Sequence, residues 1–233
     1  MNIDLKDHFI KAVESYPDFS EAHLQLALIY QEEGDDNNAV KHFKSAIISD
    51  LEETERLENK GDELMKNYQF QNAKDQFIKS QEKKVHCSEV YYQQSIYFNE
   101  REKIKLSQSS LENCINIIPL HSKAHRDLGV ILLNKKKLDP ARLHFEKALD
   151  IDYSDSISHF YLGKVMASMK DIDDAELHYL SALDINPKYS ECMLELALIK
   201  LGNQLEEDAR KYYRDARKIN PSIKHPDIEK IID

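Results

Sequence analysis

The sequence predicts an all-α protein, an array of helix pairs in tandem, and two observations carry the prediction. The first is a period of 34 residues: Gly163 is matched by Ala197 further on and by Gly129, Ser95, Gly61 and Ala27 going back. The same step takes Ala175 to Ala209, Ala141, Ser107, Ala73 and Ala39, and takes Ala182 to Ala216, Ala148, Cys114, Ser80 and Ala46. Between those small residues it takes Tyr179 to Tyr213, Phe145, Leu111, Phe77 and Phe43. A fixed period without insertions marks a repeat architecture, in which each repeat covers the apolar face of its neighbour. The second observation is composition: 5 Gly and 6 Pro in 233 residues, with 32% charged residues, suit helices.

Residues 156–189 show the repeat most plainly. Tyr161, Leu162, Val165, Met166 and Met169 fall at helical spacing, and a second stripe follows at Ala175, Leu177, Tyr179, Leu180, Ala182 and Leu183. Lys170-Asp171-Ile172-Asp173 is the turn between the first (A) and second (B) helix, with Asp173 expected as the cap. Asn186-Pro187 closes the repeat, because proline cannot continue a helix. Antiparallel helices approach closely only where side chains are small, so Gly, Ala, Ser or Cys fill three contact positions. The aromatic between two of them fills the gap where the helices diverge. This pattern of leucine, small residue, alanine, aromatic, alanine and closing proline resembles the tetratricopeptide repeat (TPR) family. The resemblance covers essentially the whole chain. It implies a right-handed α-α superhelix of six helix pairs, with half-repeat helices at both ends and the A helices lining a concave groove.

In order, residues 1–19 read as a B helix without its A helix, since Phe9, Ala12 and Pro17 precede Phe43, Ala46 and Leu51 by one period. Residues 20–53 form a regular repeat. Residues 54–87 keep Gly61, Ala73 and Phe77 but place Lys60 at the leucine position, and residues 88–121 place Gln94 there. Two adjacent polar substitutions predict a looser or re-angled array around residues 54–121. Residues 122–155 recover the pattern, with Asp139-Pro140 expected to cap and start their B helix. Residues 156–189 and 190–223 follow. Residues 224–233 are expected to be a short capping helix over the last apolar face.

A formal net charge of −10 argues against a nucleic-acid or anionic-membrane surface. No apolar run reaches the roughly 18 residues of a membrane span, and no signal-peptide pattern opens the chain. Cys87, Cys114 and Cys192 show no metal or redox spacing, so a reducing cytoplasm is the expected location. No Gly-rich phosphate loop, HExxH, GxSxG or CxxC occurs, so no catalytic, cofactor or metal site is predicted. His125 and His159 occupy equivalent positions in adjacent repeats, where stacking would bring them together. A zinc site needs three or four ligands, so both are read as filling an aromatic position.

The groove is the informative surface. Just before the leucine position the A helices carry Gln25, Asn59, Gln93, Asp127, Tyr161 and Glu195. Some proteins that look like this one use an asparagine ladder there, since a carboxamide both donates to and accepts from a peptide backbone. Neighbouring positions add Tyr92, Ile96, Val130 and Phe160 as an expected apolar floor, and Lys123, Arg126 and Lys164 as cations. An apolar groove with charged ends suits a peptide or helix of a partner protein. The pattern departs from the carboxylate clamp of chaperone-binding relatives. The function expected is a non-enzymatic protein-interaction scaffold, monomeric or weakly self-associating. A docking region of a larger enzyme or assembly factor, or a self-associating structural subunit, are the alternatives.

Overall fold

The computed structural model describes the backbone of residues 3–232 and the side chains of residues 5–230. The helices are α1 Ile3–Ser15, α2 Ser20–Glu32, α3 Asp36–Lys66, α4 Phe70–Glu100, α5 Ile104–Ile117, α6 Ser122–Asn134, α7 Leu138–Ile151, α8 Ser156–Ser168, α9 Ile172–Ile185, α10 Ser190–Gly202, α11 Glu206–Ile219 and α12 Pro226–Ile232. No strand occurs among the described residues, so the all-α prediction holds. The chain divides into two compact units, residues 1–121 and 122–233.

The C-terminal unit follows the predicted repeat. Its pairs are α6 with α7, α8 with α9, and α10 with α11. Ala141, Ala148, Ala175, Ala182, Ala209 and Ala216 are fully buried, as are the aromatics Phe145, Tyr179 and Tyr213 between them. The small residue on each A helix is a steric requirement. A Cβ on Gly163 would lie 2.6 Å from the Tyr179 ring, and one on Gly129 would lie 2.8 Å from Phe145. At the end of the unit Ile228 of α12 is buried against Ala197, Tyr213 and Ala216, and His225 donates its backbone N–H to the Tyr213 hydroxyl.

The turn inside every pair is set by one residue in the left-handed region. These residues are Gly34, Tyr68, Glu102, Lys136, Lys170 and Gln204, one per period. In residues 156–189 the turn is closed by backbone bonds, Lys170 N to Ala167 O at 3.1 Å and Asp171 N to Met166 O at 2.9 Å. The B helix then starts at once, which corrects the expected caps. α9 begins at Ile172 and α7 at Leu138, so Asp173 and Asp139 lie inside the first turn, where their charge meets the positive helix end.

The N-terminal unit departs from the helix-pair plan. α3 and α4 are each 31 residues long, and the repeat boundaries at 53/54 and 87/88 fall inside them. The closing proline explains the difference. Pro17, Pro119, Pro187 and Pro221 occupy a position that holds Leu51 and Val85 in the fused repeats. Residues 122–155 lack the proline too, with Tyr153 in its place. There Asp152 accepts from Ser154 N at 3.1 Å and Asp155 from Ile157 N at 3.0 Å, which ends one helix and caps the next.

Helix fusion changes which repeats touch. α3 and α4 run antiparallel along their whole length: Arg101 pairs with Asp36, His86 with Asp50 at 2.5 Å, and Ser80 with Glu58 at 3.1 Å. The A helix of residues 88–121 therefore packs on the B helix of residues 20–53, with Tyr97 against Phe43 at 5.7 Å between ring centroids. The intervening repeat is looped out as a two-helix hairpin. Between residues 61 and 80 of that hairpin, Gly61, Ala73 and Ser80 alone are buried. At its root lies Asp50, 0% exposed, held by His86 and by Lys83 at 3.6 Å.

Candidate functional site

The predicted groove residues fall in two groups, one in each unit. In the C-terminal unit α6 carries Lys123, Arg126, Asp127 and Val130, and α8 carries Phe160 and Lys164. Arg126 Nε lies 2.9 Å from Asp127, and its Nη1 lies 3.3 Å from Asp155, the N-cap of α8. Asp155 also accepts from Ser158 Oγ at 2.8 Å, so one guanidinium braces the start of the next A helix. Lys164 repeats the theme between α8 and α10, with Nζ 3.6 Å from Glu195 and 5.5 Å above the Phe160 ring. Val130 is half-buried and Lys123 is exposed.

Phe160 and Tyr92 are not a groove floor. Phe160 is 6% exposed, its ring 4.8 Å from that of Tyr189 and 5.9 Å from that of Tyr179. Tyr189 precedes α10 and packs over the position, so the aromatic belongs to the junction between repeats. Tyr92 is 7% exposed and lies 4.9 Å from the His121 ring, in the corresponding junction of the N-terminal unit. The expected apolar floor is corrected at these two positions: the loop residues Tyr189 and His121 fold over them.

In the N-terminal unit Gln25 is exposed on α2, while Gln93 and Ile96 are half-buried on α4, with Gln93 donating to Glu89 at 2.6 Å. Asn59 is exposed on α3, about 13 Å along the helix axis beyond Asp50. Helix fusion carries it onto the hairpin, out of line with Gln25. The polar substitution Gln94 is explained locally: it accepts from Ser110 Oγ at 2.8 Å.

The histidines pair within repeats and not between them. His125 meets His144, and His159 meets His178, with Nδ1 atoms 2.9 and 3.3 Å apart. His23 and His42 repeat the arrangement at 2.8 Å. The sequence signal for these pairs is the 19-residue spacing from an A-helix histidine to a B-helix histidine, present three times. Among the described residues no group of three or more His, Cys, Asp or Glu is arranged to hold a metal ion. All three cysteines are free and buried. Burial pushes the Cys87 and Cys192 thiols up to about 12. His121 is pushed up to about 9, first by hydrogen bonding with Cys114 and then by Glu89.

The repeat plan, the small-residue contacts and the A-helix surface define a helical-repeat protein whose fold is similar to that of TPR proteins. The tetratricopeptide repeat model matches residues 20–49 and 123–155, one regular repeat in each unit. Among solved structures the chain is similar to YrrB, described as a TPR protein with an unusual peptide-binding site: TM-score 0.64, 14% identity, 92% of this chain and 93% of that one. It is similar to MamA, with TM-score 0.61, 15% identity and coverage of 87% and 92%. It also resembles the C-terminal part of a TPR repeat-containing protein of Cytophaga hutchinsonii, with TM-score 0.54, 18% identity and coverage of 98% and 93%. Comparison with curated protein sequences gives no match. No helix among the described residues is long and apolar enough to cross a membrane.

Proposed function

We propose that the chain is a non-enzymatic scaffold that holds a segment of a partner protein along the A helices of its C-terminal unit. The observation that carries this reading is the line of braced charges, Arg126 to Asp155 and Lys164 to Glu195, each joining one A helix to the next. Side chains held in this way lose little further freedom on binding, which lowers the cost of recognition. Lys123, Asp127 and Val130 extend the surface with a cation, an anion and an apolar patch, a mixture suited to an extended peptide or a helix. YrrB, which shares the fold, is described by its peptide-binding site, and that lends the reading an analogy. Three buried free thiols fit a cytoplasmic protein.

The test is selection of peptides from a random displayed library against the full chain, followed by titration of the best sequences. Lys164→Glu sets two acids against each other at Glu195 and should weaken the selected peptides at least tenfold. Peptides that bind Lys164→Glu and Lys123→Glu as well as wild type would move the surface elsewhere. Failure to enrich any peptide would count against the scaffold reading itself.

A further inference from the structure

Phe77 occupies a position whose equivalents, Phe43, Leu111, Phe145, Tyr179 and Tyr213, are at most 1% exposed. It is 37% exposed itself. Its inner edge rests on Gly61, as the pattern requires, but its outer edge meets solvent. In residues 20–53 and 122–155 a later A helix covers this slot. Tyr97 lies against Phe43 at 5.7 Å, and Tyr161 stacks on Phe145 at 5.8 Å with an interplanar angle of 6°. The helix that would cover Phe77 is the continuation of α4, which runs back to cover Phe43 instead.

We propose that this open slot docks one amphipathic helix of a partner protein, presenting a tyrosine to Phe77 and a carboxylate to Lys74. Phe70, Lys74, Phe77 and Gln81 form one exposed stripe along the hairpin, at helical spacing. Lys74 sets the charge. Three periods on its equivalent, Glu176, is paired with Lys200 of the covering helix α10, and two periods back its equivalent, Lys6, is paired with Glu33 at the C-cap of the covering helix α2. A cation at this position, as at Lys6, meets an acid of the covering helix, so the occupant of the hairpin carries an acid where α10 carries a lysine. A second copy of the stripe brings no acid to that place, which favours a foreign helix. The sequence also distinguishes the two sides of the hairpin. Lys60 is exposed where Leu26, Leu128, Leu162 and Leu196 are buried, so that slot has been adapted to water. Phe77 has kept its aromatic ring, which implies that it is covered in the working state. The surface lies in the N-terminal unit and does not rest on the groove proposed above.

The probe is a helix-stapled peptide of this chain's own residues 154–170, which carries Tyr161, with Met166→Glu to place an acid at the position equivalent to Lys200. It is titrated into the full-length protein by fluorescence anisotropy. Saturable binding is expected, weakened at least tenfold by Phe77→Asp in the protein and by Tyr161→Ala in the peptide. Circular dichroism checks that Phe77→Asp stays folded. Lys74→Glu, which leaves the hairpin core intact, should reverse the preference so that a peptide with Met166→Lys binds better than the Met166→Glu one. Absence of binding, or binding indifferent to Phe77 and Lys74, overturns the proposal. So does a dimer in sedimentation equilibrium that Phe77→Asp dissolves, since a second copy would then be the occupant.

Discussion

Nδ1 of His23 lies 2.8 Å from Nδ1 of His42, and Nε2 of His23 lies 2.8 Å from the carbonyl oxygen of Pro17. A carbonyl only accepts, so His23 carries its proton on Nε2 and offers Nδ1 as a bare acceptor. His42 must then donate its Nδ1–H. The contact therefore requires one of the two facing nitrogens to be without a proton. Burial, and then the neighbouring charges of His23 and Lys41, push His42 down from 6.5 to about 4. His159 and His178 are lowered as well, mainly by burial.

The consequence is acid sensitivity. Between 6.5 and about 4 the unfolded chain binds a proton that folded His42 refuses, so stability falls as pH falls through that window. The loss from His42 alone approaches about 3 kcal/mol at the acid end. His121 acts in the opposite sense. Its folded value of about 9 gives stability that is full below 6.5 and lost as pH rises toward 9. Urea unfolding across this range should therefore show a maximum near neutrality. His42→Phe should flatten the acid limb, and a variant with an unchanged acid limb would refute the assignment.

Phe160→Ala tests whether that ring packs or binds. At 6% exposure, between Tyr179 and Tyr189, its truncation should cost about 3–5 kcal/mol. Lys123→Ala, on an exposed position of α6, should stay within about 0.5 kcal/mol. Equal thermal shifts in the two would return Phe160 to the groove.

Proline should act with opposite sign at two positions one period multiple apart. Tyr153 follows Asp152, whose ψ of 90° is close to the 92° of Ile118 before Pro119. Tyr153→Pro should be tolerated, and stabilising by as much as about 1 kcal/mol. Leu51→Pro would break α3 in mid-helix and cost about 3 kcal/mol or more. Thermal unfolding of the two variants checks both signs. A neutral Leu51→Pro would mean that α3 already bends there.

Two glycines give a second contrast. Gly163→Ala drives a Cβ to 2.6 Å from the Tyr179 ring and 3.2 Å from the Ala175 carbonyl, and should destabilise by about 1–3 kcal/mol. Gly202, in the last turn of α10, has nothing within 4 Å of a new Cβ. Gly202→Ala should stabilise by about 0.5–1 kcal/mol through helix propensity. Chemical denaturation separates them, and a shared sign would contradict the packing at Tyr179.

The fold was legible because its signal is steric and repeated: Ala175 and its equivalents must be small wherever two helices touch. The helix fusion was half legible. Lys60 and Gln94 marked the region; the absence of proline at Leu51 and Val85 is not by itself a sufficient signal, since Tyr153 holds the same position between two separate helices. Yet loss of a stop signal does not say which repeat the freed helix will pack on; that depends on Phe43 meeting Tyr97, 54 positions further along the chain. The candidate site was least legible. Whether Phe160 faces solvent depends on how Tyr189 in the next loop lies over it, and no periodicity encodes a loop's path.

The Asp50–His86 contact at 2.5 Å brings residues 36 positions apart to the root of the hairpin. Everything between them is topologically a side branch. Each regular repeat must keep its period, because an inserted residue would misalign every repeat stacked after it. The branch carries no such obligation. Equal lengths, taken out of or added to both of its arms in whole heptads, would leave the root and the body in register. The hairpin is therefore a stretch of the N-terminal unit whose reach can change while its root stays as it is, an arm of adjustable length.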